Sequence, residues 1–244
     1  GNPLEYAQVP EDEIVKKSVI IEDLSGRIPI SSKTSPQLFE ALFNDLGFQL
    51  SESSLLTDSL LDWIDPDDET RLNGAEKDHY EHLHPPYSPA NGPLGSYNDL
   101  RFIQGFDTLF FDNKGVKMAP FDRFKANTTL YGDYPVNLNS APPEVLKIFC
   151  ERLGVDYNTV ESLLKGPDGI RGTIDDGVLD TKNFKPTNPE GLPKNTYGFE
   201  TKLVKIEIRL IRGDNTFLMT ALVQPGKSPT QSSTLMVRIN RTLE

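Results

Sequence analysis

The sequence predicts an α+β chain: an antiparallel sheet built from strands at its two ends, with a large helical domain inserted between them. Three observations lead there. Residues 15–23 read as a strand, and three further β patterns follow residue 199, with clear alternation of Leu203, Lys205, Glu207 and Arg209 against Val204, Ile206, Ile208 and Leu210. Between them, apolar residues recur at helical spacing, as in Leu38, Phe39, Leu42, Phe43 and Leu46. Strands distant in sequence close one sheet when the chain between them packs as a unit of its own. The expected division is 1–34 for the first sheet part, 35–165 for the helical domain, and 166–244 for a Gly/Asp-rich loop and the C-terminal strands.

Each element has a local cause. Residues 15–23 read as a strand, Ser25 and Gly26 as a turn, and 27–30 as a short second strand whose Pro29 suits an edge, so the pair is expected to form a hairpin. Ser35 is placed to cap a helix with Pro36 in its first turn and Gly47 at its end. A second helix over 53–64 puts Leu56, Leu60, Trp63 and Ile64 on one face. The proline-rich run 85–93 is unsuited to a helix or a central strand and should wrap a surface. Ser96 and Asp99 have the spacing of a capping box for a short helix that holds Leu100 and Ile103 and stops at Gly105. Residues 110–126 read as loop. Asn139 or Ser140 caps a helix that starts on Pro142 and Pro143 and closes at Gly154; Asp156 caps the next, giving a helical hairpin over 139–165. Strands at 199–211, 216–223 and 234–241 complete the chain.

A net charge of −11 over 244 residues opposes nonspecific binding to nucleic acid or anionic lipid and favours divalent cations as counterions. The one cysteine, Cys150, allows no intramolecular disulfide and sits among apolar neighbours as a small buried hydrophobe. No apolar run approaches a membrane span and no signal peptide is visible.

The densest chemistry lies in 62–80, where carboxylates crowd a loop flanked by apolar residues. Like charges at this density repel unless a cation sits among them. Counted from Asp65, oxygen donors fall at loop positions 1 (Asp65), 3 (Asp67), 5 (Glu69), 9 (Asn73) and 12 (Glu76), with the carbonyl of Arg71 at position 7. That is the spacing of an EF-hand loop, whose hard oxygens suit Ca²⁺. Thr70 replaces the usual glycine at position 6 and Pro66 restricts position 2, so the expected site shares the chemistry of an EF-hand and not its full geometry. The competing reading is a solvated acidic loop whose aspartates cap helix ends.

A wider set of residues carries a family resemblance. Asp62-Trp63-Ile64-Asp65 with Asp67, then Gly74-Ala75-Glu76, Tyr80, Pro86-Tyr87, Asn91 and Leu100 resembles the signature of the GspK family, large minor pseudopilins of bacterial type II secretion systems. Ser25-Gly26-Arg27 and the run from Val136 to Pro142 fit the same pattern. The resemblance implies a pilin-like sheet interrupted by a helical domain, and a non-enzymatic structural role at the tip of the pseudopilus with GspI and GspJ as partners. It implies the periplasmic domain of an inner-membrane-anchored protein, its N-terminal membrane helix not included in this sequence. It also implies calcium in the helical domain, carried over to Asp65, Asp67 and Glu76, with Asp62 and Asn91 as further candidates.

Other constellations point elsewhere. His79, His82 and His84 with Asp78 or Glu81 form the alternative site, a Zn²⁺-type centre of a metal-dependent hydrolase, although His82 and His84 would face different sides of a helix. The helical hairpin around Leu153-Gly154-Val155-Asp156 has the outline of a DNA-binding module, but its turn carries one glycine and an acidic residue. Asp168, Asp175 and Asp176 suit an exposed turn or a second Ca²⁺. The sequence has no Gly-x-Ser-x-Gly elbow and no phosphate-binding glycine loop.

Overall fold

The structure, a computed structural model, describes residues 16–212, 215–226 and 231–243. The chain runs through β1 (Lys16–Asp23), a 3₁₀ turn (Leu24–Gly26), β2 (Ile28–Pro29), α1 (Pro36–Asp45), α2 (Leu50–Ile64) and α3 (Lys77–Glu81). A 3₁₀ helix (Tyr97–Phe102), α4 (Phe106–Leu109), α5 (Ala119–Asn127), β3 (Thr128–Thr129) and β4 (Val136–Asn137) follow. Then come α6 (Pro143–Leu153), α7 (Tyr157–Lys165), β5 (Tyr197–Gly198), β6 (Val204–Arg212), β7 (Asn215–Gln224) and β8 (Ser233–Leu243). Contacts separate two units among the described residues: 16–24 with those from Thr201 onward, and Ser25–Glu200.

The first unit is one four-stranded antiparallel sheet in the order β1-β6-β7-β8. Strands from near the two ends of the chain therefore share a sheet, as expected. Residues directly opposite in such a ladder point to the same face. Val19 pairs with Ile208, Ile208 with Met219 and Met219 with Ile239; Ile21, Ile206, Ala221 and Val237 form a second row. One face is thus apolar across all four strands, and Val19, Ile21, Val237 and Ile239 on it are exposed.

The expected hairpin of 15–23 with 27–30 does not form. β1 spends all of its length on β6, while β2 pairs in parallel with β3 in the second unit. Gly26 is no hairpin glycine: a Cβ there would stand 2.2 Å from the carbonyl oxygen of Ser140, so the residue is small because another backbone crosses it.

The second unit is helical and holds the main core. Phe43 is fully buried, and its ring meets those of Phe39, Phe48, Phe106, Phe110 and Phe124 at centroid distances of 5.5 to 6.5 Å. Burying one such ring contributes about 1.5–3 kcal/mol. α1 and α2 follow the expected lines: Pro36 opens α1, Gly47 beyond it has φ of +100°, and α2 starts three residues early because Gln49 and Glu52 form a capping box. Ser96 and Asp99 likewise form the expected box, on a 3₁₀ helix. Residues 110–126, expected as loop, contain α5. Only Phe121 and Phe124 of its polar sequence enter the core, too weak a repeat to register, although Pro120 marks its first turn.

The helical hairpin is present as α6 and α7, closed by Gly154 in the left-handed region (φ 66°) and capped by Asp156, which accepts from the Thr159 N–H at 2.8 Å. Asn139 and Ser140 do not cap α6; Pro142 holds that position. Asn139 instead pins the later loops, donating to the carbonyls of Leu179 (3.1 Å) and Phe199 (3.2 Å) and accepting from the Leu179 N–H (2.7 Å). With Leu179, Phe184 and Leu192 buried in the helical core, the inserted unit spans 25–200, wider than the expected 35–165. Apolar anchors scattered among prolines and glycines have no period, so the sequence assigns that stretch to the sheet part by proximity alone. Cys150 is fully buried, and burial pushes its thiol up to about 11, as befits a core residue.

Candidate metal centre

The end of α2 presents the first two carboxylates. Trp63 and Ile64 are held in the core, with the Trp63 ring edge-on to Tyr80 at 5.1 Å. That anchoring buries Asp62 completely and leaves Asp65, at the helix C-terminus, nearly so. The chain then loops through five exposed residues and returns with Arg71 and Gly74. The Arg71 N–H donates to Asp62 at 3.2 Å, and its guanidinium Nη1 donates to Asp62 Oδ1 at 2.6 Å and Asp65 Oδ2 at 2.5 Å. Gly74 lies so close to Asp62 that a Cβ would collide with the carboxylate.

Glu76 stands at the N-cap of α3 and is 3% exposed, yet neither of its carboxylate oxygens has a hydrogen-bond partner among the described residues. Asp65 Oδ1 and Asn91 Oδ1 are buried in the same condition. Asn91, at φ 43°, donates from Nδ2 to the Asp67 carbonyl (3.2 Å) and to Asp68 Oδ1 (3.0 Å), tying the exposed loop to the proline-rich run. Burial pushes the Glu76 carboxyl up to about 7, helped by the charges of Asp62, Asp65, Asp68 and Asp67. Burial also raises Asp62 above its usual range despite the bonds from Arg71.

Of the expected ligands, Asp62, Asp65 and Glu76 are buried, Asp62 and Asp65 are bridged by Arg71, Glu76 feels the charges of both, and the exposed Asp67 is tied through its carbonyl to Asn91. Glu69 and Asn73 are elsewhere: both are exposed, the Glu69 N–H caps Asp67 Oδ1 at 3.0 Å, and Asn73 binds Asp58 Oδ2 through Nδ2 at 2.9 Å. The EF-hand order is therefore not reproduced. It is broken at Arg71, which brings a guanidinium into the cluster where the spacing called only for a carbonyl. Asp62, outside the twelve-position count, is the most buried carboxylate of the group.

Three buried carboxylates against one guanidinium leave negative charge in excess, and each orphaned buried acceptor costs about 1–3 kcal/mol. Carboxylate and amide oxygens without donors are the donor set of a hard divalent cation, so the residues present fit Ca²⁺. Asp62, Asp65 and Glu76 do not form a trio with ligand atoms all within 4.8 Å of one another. Among the described residues, the acidic trio with ligand atoms all within 4.8 Å is Asp168, Asp175 and Asp176. Two of that trio are exposed and the third half-buried, and their oxygens accept loop hydrogen bonds: Asp175 from the Asp168 N–H (3.1 Å), Asp176 from the Gly172 N–H (2.6 Å). Those bonds fit the turn reading. The three histidines are exposed and form no metal-ligand group with neighbouring carboxylates among the described residues.

A helical unit carried between strands of one antiparallel sheet, with a buried carboxylate centre in that unit, defines an α+β protein of inserted-domain type. Residues 22–113 match the family model for protein K of the type II secretion system, which bears out the resemblance read from Asp62 to Leu100 for that part of the chain. Type II secretion system protein K of Klebsiella pneumoniae is 28% identical over 141 residues, covering 58% of this chain and 40% of the relative. The protein of the same name from Dickeya chrysanthemi is 32% identical over 104 residues, covering 41% and 28%. This chain thus spans two fifths or less of the length of these two relatives. The fold is similar to that of a chain in the crystal structure of the GspK-GspI-GspJ complex from enterotoxigenic Escherichia coli. The TM-score is 0.67 at 16% identity, over 93% of this chain and 80% of that one. Among the described residues, no helix is long and apolar enough to cross a membrane.

Proposed function

We propose that the chain is the periplasmic domain of a non-enzymatic pseudopilus subunit that stands at the tip and assembles with GspI and GspJ. The observation that carries this reading is the match of 22–113 to protein K. The solved complex with a similar fold supports the choice of partners. A tip subunit needs a heterologous surface: it binds the subunit below and offers nothing equivalent above, or the filament would continue. A bulky unit inserted between β1 and β6 suits a cap, and the apolar sheet face suits the assembling side. Anchoring in the inner membrane would come from a segment outside this sequence.

Calcium belongs to this reading as a structural ion. Asp62, Asp65 and Glu76 would hold it, with Asp67 and Asn91 as outer oxygen donors. Bound there, it supplies the positive charge that the buried oxygens of Asp65 and Glu76 lack. The chain itself positions the carboxylates: α2 fixes Asp62 and Asp65, Gly74 leaves room for Asp62, and Glu76 stands at the N-cap of α3.

Co-purification of this chain with the soluble domains of GspI and GspJ tests the assembly. A ternary complex is expected, weakened by charged substitutions at Ile21 or Ile239 and unaffected by charge reversals on the exposed face of α7. Failure to bind either partner would overturn the proposal.

A further inference from the structure

We infer that Arg71 is a tethered counter-cation for the carboxylate centre: its guanidinium neutralises Asp62 and Asp65 in the ion-free protein and gives way when a divalent cation enters. The inference rests on the calcium reading above and adds a competitor to it. Nη1 bridges the two aspartates at 2.6 and 2.5 Å, which places a positive charge between the first two expected ligands. A guanidinium there and a divalent ion bound by the same oxygens would repel strongly in a poorly solvated site. The two cations therefore exclude each other.

The surroundings are arranged for such an exchange. Arg71 leaves both oxygens of Glu76 and one of Asp65 without donors, so it satisfies the centre only in part. Its side chain is 35% exposed, against 0% and 6% for those of Asp62 and Asp65; the arginine has a way out to water and the aspartates do not. The Arg71 backbone N–H separately donates to Asp62, so the loop stays tied to α2 when the guanidinium leaves. A tethered charge of this kind holds the empty centre together and lowers the apparent affinity for the metal by the cost of its own displacement.

The test is calorimetric titration of Ca²⁺ into chelator-stripped wild-type protein, Arg71→Gln and Arg71→Lys, with thermal unfolding of each in chelator. Arg71→Gln removes the charge, and Arg71→Lys keeps it on a shorter side chain with a more strongly hydrated head, which holds the two carboxylates less firmly. The expected order of affinity is Gln above Lys above wild type, with Gln tighter by about tenfold or more, and the reverse order of melting temperature in chelator. Equal or weaker Ca²⁺ binding by both variants, with wild type still binding, would overturn the inference and leave the calcium reading standing. If Arg71→Gln does not fold without metal, the comparison of Lys with wild type decides by the same criterion. No Ca²⁺ binding by any of the three proteins would remove the calcium reading itself and the inference with it.

Discussion

Gly74 is pressed against Asp62: a Cβ on Gly74 would stand 1.9 Å from Asp62 Oδ2 and 2.7 Å from its Cγ. Asp62 is fully buried and held by Arg71, so the carboxylate has nowhere to retreat without breaking those bonds. Gly74→Ala should therefore destabilise the ion-free protein by about 1–3 kcal/mol, the usual cost of overpacking. It should also weaken Ca²⁺ binding, since the first carboxylate is displaced. Calorimetric unfolding in chelator and Ca²⁺ titration check the two effects; an unchanged melting temperature would mean that Asp62 has room to move.

Glu76 makes the ion-free stability depend on pH. Its folded carboxyl is raised to about 7 from an ordinary value of 4.5, chiefly by burial. Between those values the native state binds more protons than the unfolded chain, so stability falls as pH rises. The contribution is fully present below the unfolded value and is lost as pH passes through about 7, with an upper bound of about 3 kcal/mol. Denaturant unfolding in chelator from pH 5 to pH 8 should show this decline, and Glu76→Gln should flatten it. A slope unchanged by Glu76→Gln would show that the glutamate is not the group responsible.

β6 is the strand on which the sheet depends, because it pairs with β1 on one side and β7 on the other. Ile206 lies opposite both Ile21 and Ala221. Proline at 206 removes an N–H from a central strand and should cost on the order of 2–3 kcal/mol. Hydrogen exchange should show protection lost in β1 and β7 while α2 keeps its own. Loss of protection in α2 to the same extent would mean that the helical unit cannot stand without the sheet.

Much of this organisation is legible in the sequence where local chemistry and tertiary structure agree. The alternation in β6, the proline signals of α1 and α6, the cap of α7 at Asp156 and the stop at Gly154 all act within a few residues. The partner of a two-residue strand has no such signal. Arg27 to Ile30 looks like the return of a hairpin, and only the fold shows that β2 lies beside Thr128–Thr129. The carboxylate site is legible in the same partial way. Asp65, Asp67 and Glu76 stand out by spacing, and the family signature adds Asp62 and Asn91. Spacing also admits Glu69 and Asn73, because it counts oxygens without knowing which way each side chain turns. The entry of Arg71 depends on the path of an exposed loop, which the sequence does not specify.

Thermal unfolding in Ca²⁺ and in EDTA tests most directly whether the buried oxygens of Asp62, Asp65 and Glu76 serve a divalent cation. A ligand that binds only the native state stabilises by about 2.7 kcal/mol at a hundredfold excess over Kd. The wild-type protein should melt several degrees higher in Ca²⁺ than in EDTA, and Asp65→Ala or Glu76→Ala should abolish the difference. A wild-type melting temperature that does not move on chelation would contradict the account.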